Sequence, residues 1–152
     1  MDDMKLRFVM VAAVAAWAIA VSHMTGRAQE APAKAAASVA DGVYSEEQAK
    51  RGEAIYNAEC SSCHGTAMEG ADMAPPLTGG AFMGNWNGLT VGDLFERIRV
   101  SMPDGNPGKL TREQNADVVA FILKASKYPA GKAELAHETE VLKQIKIVAP
   151  KS

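Results

Sequence analysis

The 152-residue sequence lacks the motifs that mark nucleotide-binding and zinc-protease sites. It contains no G-x-x-x-x-G-K-[ST] run, no G-x-G-x-x-G run and no H-E-x-x-H. Positive charge is not in excess either, because 16 basic residues face 18 acidic ones and the formal net charge is −2. This balance does not favour binding to nucleic acid or to an anionic membrane surface. We therefore expect no nucleic-acid partner.

Aromatic residues are also scarce, at 6% of the sequence, although the hydrophobic fraction of 47% is ordinary for a globular protein. The length suits one domain. No strand-like alternation of polar and apolar residues is visible, whereas helical patterns recur. These observations predict an all-α fold. Because aromatic side chains are few, a buried apolar cofactor would supply apolar area that the core otherwise lacks.

No apolar run is long enough to span a membrane. The longest, residues 8–21, has 14 residues, fewer than the roughly 20 that a spanning helix needs. Lys5 and Arg7 precede it, and Gly26-Arg27-Ala28 follows with small residues where a signal peptidase cuts. We predict that residues 1–28 are a signal peptide, so that the mature protein is periplasmic with no stable membrane span. An uncleaved anchor and a buried helix are the alternatives.

The rest of the chain divides by composition into three parts. Residues 29–41 are rich in alanine without an amphipathic period, which indicates a flexible linker. Residues 42–135 carry the helical patterns and form the predicted domain. Residues 136–152 contain a few apolar side chains and are predicted to be a tail packed on or near that domain.

Three helices are predicted from their amino-terminal caps. Ser45 with Gln48 and Thr111 with Gln114 form capping boxes, and Thr90 precedes a third apolar periodic stretch. The helices are expected over residues 46–59, 91–100 and 112–125. Gly52 lies inside the first, where a glycine indicates close approach of another backbone.

A long segment, residues 65–88, separates the first two helices. It is rich in glycine, contains Pro75 and Pro76, and shows no helical period. We predict an irregular loop. So long a loop is unusual in a small domain unless it wraps around something.

The strongest motif is Cys60-Ser61-Ser62-Cys63-His64, a C-x-x-C-H sequence that contains both cysteines of the chain. Thiols at this spacing can each bond one vinyl group of the same haem, and the next residue then presents an imidazole to the iron. The motif predicts one covalently attached haem c with His64 as an iron ligand. A disulfide or a zinc site is the alternative, although a zinc site needs four ligands and only His137 remains as a further histidine in the mature chain.

Met102 is the best candidate for the sixth iron ligand. It follows the end of a predicted helix, is restrained by Pro103, and lies far enough along the chain to reach the opposite face of the ring. Met68 is too close to His64 in sequence to do so. Met73, Met83, His137 or an open site are the remaining alternatives.

These pieces together resemble the class I c-type cytochromes over residues 43–135. Gly52 and Tyr56 match the family's glycine–aromatic pair on the first helix, Pro75-Pro76-Leu77 its P-x-L segment, and Met102-Pro103 its ligand methionine. The resemblance implies that the Pro75 carbonyl bonds the His64 ring N–H and that Leu77 packs on the haem. Trp86, Arg97 and Arg99 are candidates to bond the haem propionates. The alternatives are a packed tryptophan and two solvated surface charges, and for the arginines this alternative is the favoured interpretation.

A narrower resemblance is to cytochrome c subunits and domains of quinoprotein (PQQ-dependent) dehydrogenases. Its motifs are residues 82–86 with Gly88, Met102-Pro103 with Pro107-Gly108-x-Leu110, residues 117–123, and residues 129–131 with Glu134-Leu135. It implies a carrier of single electrons from a periplasmic dehydrogenase towards a terminal oxidase or another cytochrome, and not an enzyme. The alternative is a haem enzyme or gas-binding protein with an open sixth coordination site.

Overall fold

The computed structural model describes residues 38–72 and 74–150. The signal peptide predicted for residues 1–28, residues 29–37 of the predicted linker, and the candidate ligand Met73 lie outside the described residues. Within the described ranges the chain is helical, with isolated β-bridges and no strand, which confirms the all-α prediction. A short 3₁₀ turn precedes six α-helices: Val39–Asp41, then α1 Glu46–Glu59, α2 Ser61–His64, α3 Gly79–Trp86, α4 Val91–Ser101, α5 Arg112–Ala125 and α6 Thr139–Leu142.

The caps explain where the three long helices begin. Thr90 and Asp93 bond each other's backbone N–H groups at the start of α4, and Thr111 and Gln114 do the same at α5. At α1 the capping box is only half formed. The Ser45 hydroxyl accepts a hydrogen bond from the Gln48 N–H at 3.1 Å, as predicted.

The prediction that the Gln48 side chain returns to the cap was wrong. Its amide group instead bonds both backbone groups of Leu135, donating to the carbonyl at 3.0 Å and accepting from the N–H at 2.6 Å. Gln48 is buried, and so are these bonds. A buried backbone group without a partner is costly, so the distant contact outcompetes the local cap.

Gly52 is where α1 crosses α5. A Cβ atom built on Gly52 would lie 1.8 Å from the Asp117 carbonyl oxygen, so only glycine permits this separation. One turn later the Tyr56 ring packs on the Phe121 ring, with centroids 5.5 Å apart. The crossing fixes the end of α1, which leads directly into Cys60.

The segment predicted as irregular loop contains a helix, α3, so that part of the prediction was wrong. Three of its eight residues are glycines, which lower helix propensity, so the sequence shows no helical pattern there. The buried Phe82 anchors α3 to the core, and this packing compensates for the poor propensity.

The last described residues lie against the domain. Leu142, Ile145 and Ile147 are buried. The Ile147 N–H donates to the Leu89 carbonyl at 2.9 Å, and the Val91 N–H donates to the Ile145 carbonyl at 2.9 Å. The segment therefore fastens the start of α4. Among the described helices, none has both the length and the apolar character required to cross a bilayer.

Candidate haem site

The two cysteines lie where α1 ends. Cys60 donates its N–H to the Tyr56 carbonyl at 2.9 Å, and the single turn of α2 then carries Cys63 and His64. Both thiols are free; Cys60 is half-buried and Cys63 is exposed. Burial, followed by the charges of Glu59 and Cys63, raises the pKa of the Cys60 thiol to about 11. The unattached thiol is therefore protonated at neutral pH.

His64 is held by a specific hydrogen bond. Its Nδ1 atom lies 2.9 Å from the Pro75 carbonyl oxygen, and its side chain is buried. A carbonyl can only accept, so Nδ1 carries the proton and donates. The Nε2 lone pair is then free for a metal, and the bond fixes the ring orientation and raises its basicity. This is the contact that the resemblance implied, while iron ligation by His64 remains a prediction.

The chain after His64 folds back on itself. The Tyr56 hydroxyl donates to the Gly65 carbonyl at 2.6 Å, and the Gly70 N–H donates to the His64 carbonyl at 2.8 Å. The Leu77 N–H then donates to the Met68 carbonyl at 3.0 Å. Leu77 is half-buried and packs against the core, and Met68 belongs to that core. This folding brings the Pro75 carbonyl under the imidazole.

Met102 follows the last residue of α4. Its N–H donates to the Ile98 carbonyl at 2.8 Å and closes the helix, and its side chain is half-buried. Residues 104–109 beyond it are exposed. At the far end of this loop the Asn115 amide donates to the carbonyls of Leu110 and Thr111, at 3.2 and 2.8 Å.

The alternative ligands with described positions have other surroundings. Met83 is half-buried, and its sulfur lies 3.4 Å from the Tyr128 hydroxyl. The His137 imidazole lies 3.3 Å from the Glu138 carboxylate and 3.5 Å from that of Glu113, near the start of α5. These contacts leave Met102 the favoured candidate.

The remaining candidates lie on α3 and α4. Trp86 is half-buried, with its ring centroid 6.2 Å from that of Phe82. Arg99 donates to Glu96 on its own helix at 2.9 and 2.7 Å, so its guanidinium already has a carboxylate partner. Binding of propionates by Trp86 remains a prediction.

The donor groups suit haem c. Two free thiols at C-x-x-C spacing, an imidazole whose metal-binding nitrogen is left open by its bond to Pro75, and a thioether at a helix end are the groups that such a cofactor requires. In the described part of the chain, no group of three or more His, Cys, Asp or Glu side chains is arranged to hold a metal ion on its own.

Comparison with known families gives the same assignment. The family model described as "Cytochrome C oxidase, cbb3-type, subunit III" matches residues 47–122, half of the chain. The chain belongs to this family. It is a c-type cytochrome, whose cofactor is covalently bound haem c and whose function is electron transfer. The resemblance to the class I c-type cytochromes is thereby confirmed.

A solved structure is also similar to this c-type cytochrome. It is the crystal structure of the sulfane dehydrogenase SoxCD from Paracoccus pantotrophus, with 26% sequence identity and a TM-score of 0.50. The similarity covers 64% of this chain and 52% of that chain, so this cytochrome spans about half the length of its neighbour. No curated protein matches the chain.

Proposed function

We propose that this cytochrome is a periplasmic one-haem carrier of single electrons. Cys60 and Cys63 would bond the haem covalently, and His64 and Met102 would hold its iron. The donor is a periplasmic dehydrogenase, a quinoprotein by the narrower resemblance. The acceptor is a terminal oxidase or another cytochrome.

The bond between His64 and Pro75 carries this proposal. A histidine directly after a C-x-x-C pair, buried and oriented through Nδ1, is prepared to bind a metal through Nε2. When bound, haem c supplies a one-electron ferric/ferrous couple, and His/Met ligation raises its potential. The chain contributes orientation on the His64 side and a thioether on the other. If His64 and Met102 both hold the iron, no coordination position would be left for a substrate, which is why we propose a carrier and not an enzyme.

Exposure at Cys63 supports exchange of electrons at the surface. A thioether formed there would bring one haem edge close to solvent, where a redox partner can dock briefly over a small area. The SoxCD neighbour is a dehydrogenase, which supports a dehydrogenase as donor. The description of the matched family supports an oxidase as acceptor.

An optical spectrum of the purified holoprotein tests the ligand set. We expect a low-spin oxidised form with a weak sulfur-to-iron charge-transfer band, and a reduced form that does not respond to carbon monoxide. Met102→Ala should abolish the band and admit carbon monoxide, whereas Met83→Ala, the control, should keep the band. A high-spin wild type that binds carbon monoxide would overturn the carrier and favour a gas-binding protein or a haem enzyme.

Cell fractionation and intact mass test the location. We expect the haem protein in the periplasmic fraction. Its intact mass should equal that of a chain that begins at residue 29 and carries one haem. A membrane-bound protein that retains residues 1–28 would contradict the export proposal without affecting the ligand set.

A further inference from the structure

We propose that Glu59 and Lys109 form a latch that holds the loop after Met102 against the end of α1. The Met102 loop, residues 102–110, carries the sixth ligand, and α1 leads into Cys60. The latch rests on the proposed role of Met102. It assigns a positioning role to two side chains that touch neither the iron nor the ring.

The latch is a two-point ion pair between distant parts of the sequence. Lys109 Nζ lies 2.7 and 2.6 Å from the two carboxylate oxygens of Glu59, 50 residues away. The Glu59 side chain is 24% exposed and that of Lys109 46%. Partial burial of the carboxylate reduces the screening of this pair by water.

Among the described residues, little else holds the outer part of the Met102 loop, residues 104–109. Its backbone bonds are local turns, from the Asn106 N–H to the Pro103 carbonyl at 3.0 Å and from the Lys109 N–H to the Asn106 carbonyl at 3.3 Å. Its ends are fixed on Ile98 and Asn115. Lys109 is therefore the side chain that ties the exposed part of the loop to the haem-attachment side.

The consequence concerns ligand exchange. A thioether is a weak neutral ligand, so its bond to iron depends on how well the loop presents it. Releasing Lys109 from Glu59 lets the loop move away more often, and an external ligand then competes more successfully. Imidazole is a small molecule that binds iron. The ion pair should therefore lower the imidazole binding constant of the ferric protein.

The test is an imidazole titration of ferric holoprotein, followed by loss of the charge-transfer band. Lys109→Gln and Glu59→Gln should each raise the imidazole binding constant about two- to fivefold, the range expected for a partly exposed ion pair. The double variant should show no further increase, and the swapped pair Glu59→Lys/Lys109→Glu should restore much of the resistance. Lys124→Gln is the matched control, because Lys124 pairs with Glu46 at 2.7 Å with comparable exposure of the lysine, 42%.

The outcomes separate the latch from the carrier proposal. The latch is overturned if the imidazole binding constant is unchanged in Lys109→Gln, or if Lys124→Gln raises it equally. In either case a charge-transfer band in the wild type still supports Met102 as a ligand. Additive effects in the double variant also overturn it, since the two residues would then act independently. A wild type without the band removes both proposals together.

Discussion

The two sides of the candidate site are built differently. On the His64 side, residues 60–72 and 74–77 are held by buried or half-buried bonds, including those from Nδ1 of His64 to Pro75 and from the Tyr56 hydroxyl to Gly65. On the other side, the Met102 loop, residues 102–110, is exposed over residues 104–109 and is tied by the side chains of Lys109 and Asn115. Bonds to buried groups are expensive to break, whereas an exposed ion pair adds little. The imidazole is therefore fixed by the fold, and of the two proposed ligands the Met102 thioether is the one that can leave more easily.

The largest expected effect comes from breaking the frame beneath the His64 side. Gly52→Ala places a methyl group 1.8 Å from the Asp117 carbonyl oxygen, so α1 and α5 must separate. We expect a loss of at least about 3 kcal/mol in the free energy of unfolding. Urea denaturation of the holoprotein, followed by circular dichroism, measures it.

Ala54→Gly is the control, because it shows how much a change between alanine and glycine on α1 alters stability without a close contact. Ala54 is exposed on the same helix, and the change costs about 1 kcal/mol through helix propensity alone. If Gly52→Ala were neutral or stabilising, as propensity alone would predict, the close crossing would not exist in solution.

The next effect is expected at the base of the Met102 loop. Asn115→Ala removes two donated bonds, to the carbonyls of Leu110 and Thr111, from a side chain that is 1% exposed. We expect a stability loss of about 1–3 kcal/mol. The imidazole binding constant should rise about tenfold, because the loop loses its carboxyl-terminal anchor, a change equivalent to about 1.4 kcal/mol.

Asn57→Ala is the matched control, an exposed asparagine on α1 that should change stability by no more than about 0.5 kcal/mol. A destabilised Asn115→Ala with unaltered imidazole binding would show that Asn115 supports the fold but not the ligand loop.

The features that sequence reasoning found are local ones. Capping residues lie within three positions of each other, so α4 and α5 could be predicted to within a residue at most boundaries. The C-x-x-C-H motif is also local, and its spacing favoured covalent haem over a disulfide or a zinc site. The family model then confirmed the haem assignment.

The features that sequence reasoning missed depend on distant partners. Gln48 satisfies a capping rule, yet Leu135, 87 residues away, determines where its side chain goes. Glycines concealed α3 because its stability comes from burial of Phe82, which a local pattern does not report. Lys109 could have paired with any of many carboxylates, and its partner Glu59 lies 50 residues away in the sequence, so no local pattern identifies the pair.

A smaller effect should come from loosening the His64 side. Tyr56→Phe removes the bond to the Gly65 carbonyl and should cost about 1 kcal/mol of stability. The imidazole binding constant should stay at its wild-type value, because the Met102 loop is untouched. Tyr44→Phe, which removes a 2.7 Å bond to the Tyr128 carbonyl, is the control and should cost a similar amount. A rise in imidazole binding in Tyr56→Phe alone would mean that the two sides are coupled.

The smallest effect is expected from alkaline pH. Burial raises the pKa of Tyr56 from 10.0 to about 12, so the folded state holds the phenol proton more tightly than the unfolded state. The resulting stability is fully present below pH 10 and is lost as pH rises towards 12. At pH 10 half of the unfolded phenol is ionised, and the loss attributable to Tyr56 is about 0.4 kcal/mol. Urea unfolding should therefore show a decrease in the free energy of unfolding between pH 8 and pH 10. This decrease should be smaller by this amount in Tyr56→Phe than in wild type. Groups that titrate alike in both proteins cancel in this difference, so an equal decrease in wild type and variant would show that the Tyr56 phenol is not buried in solution.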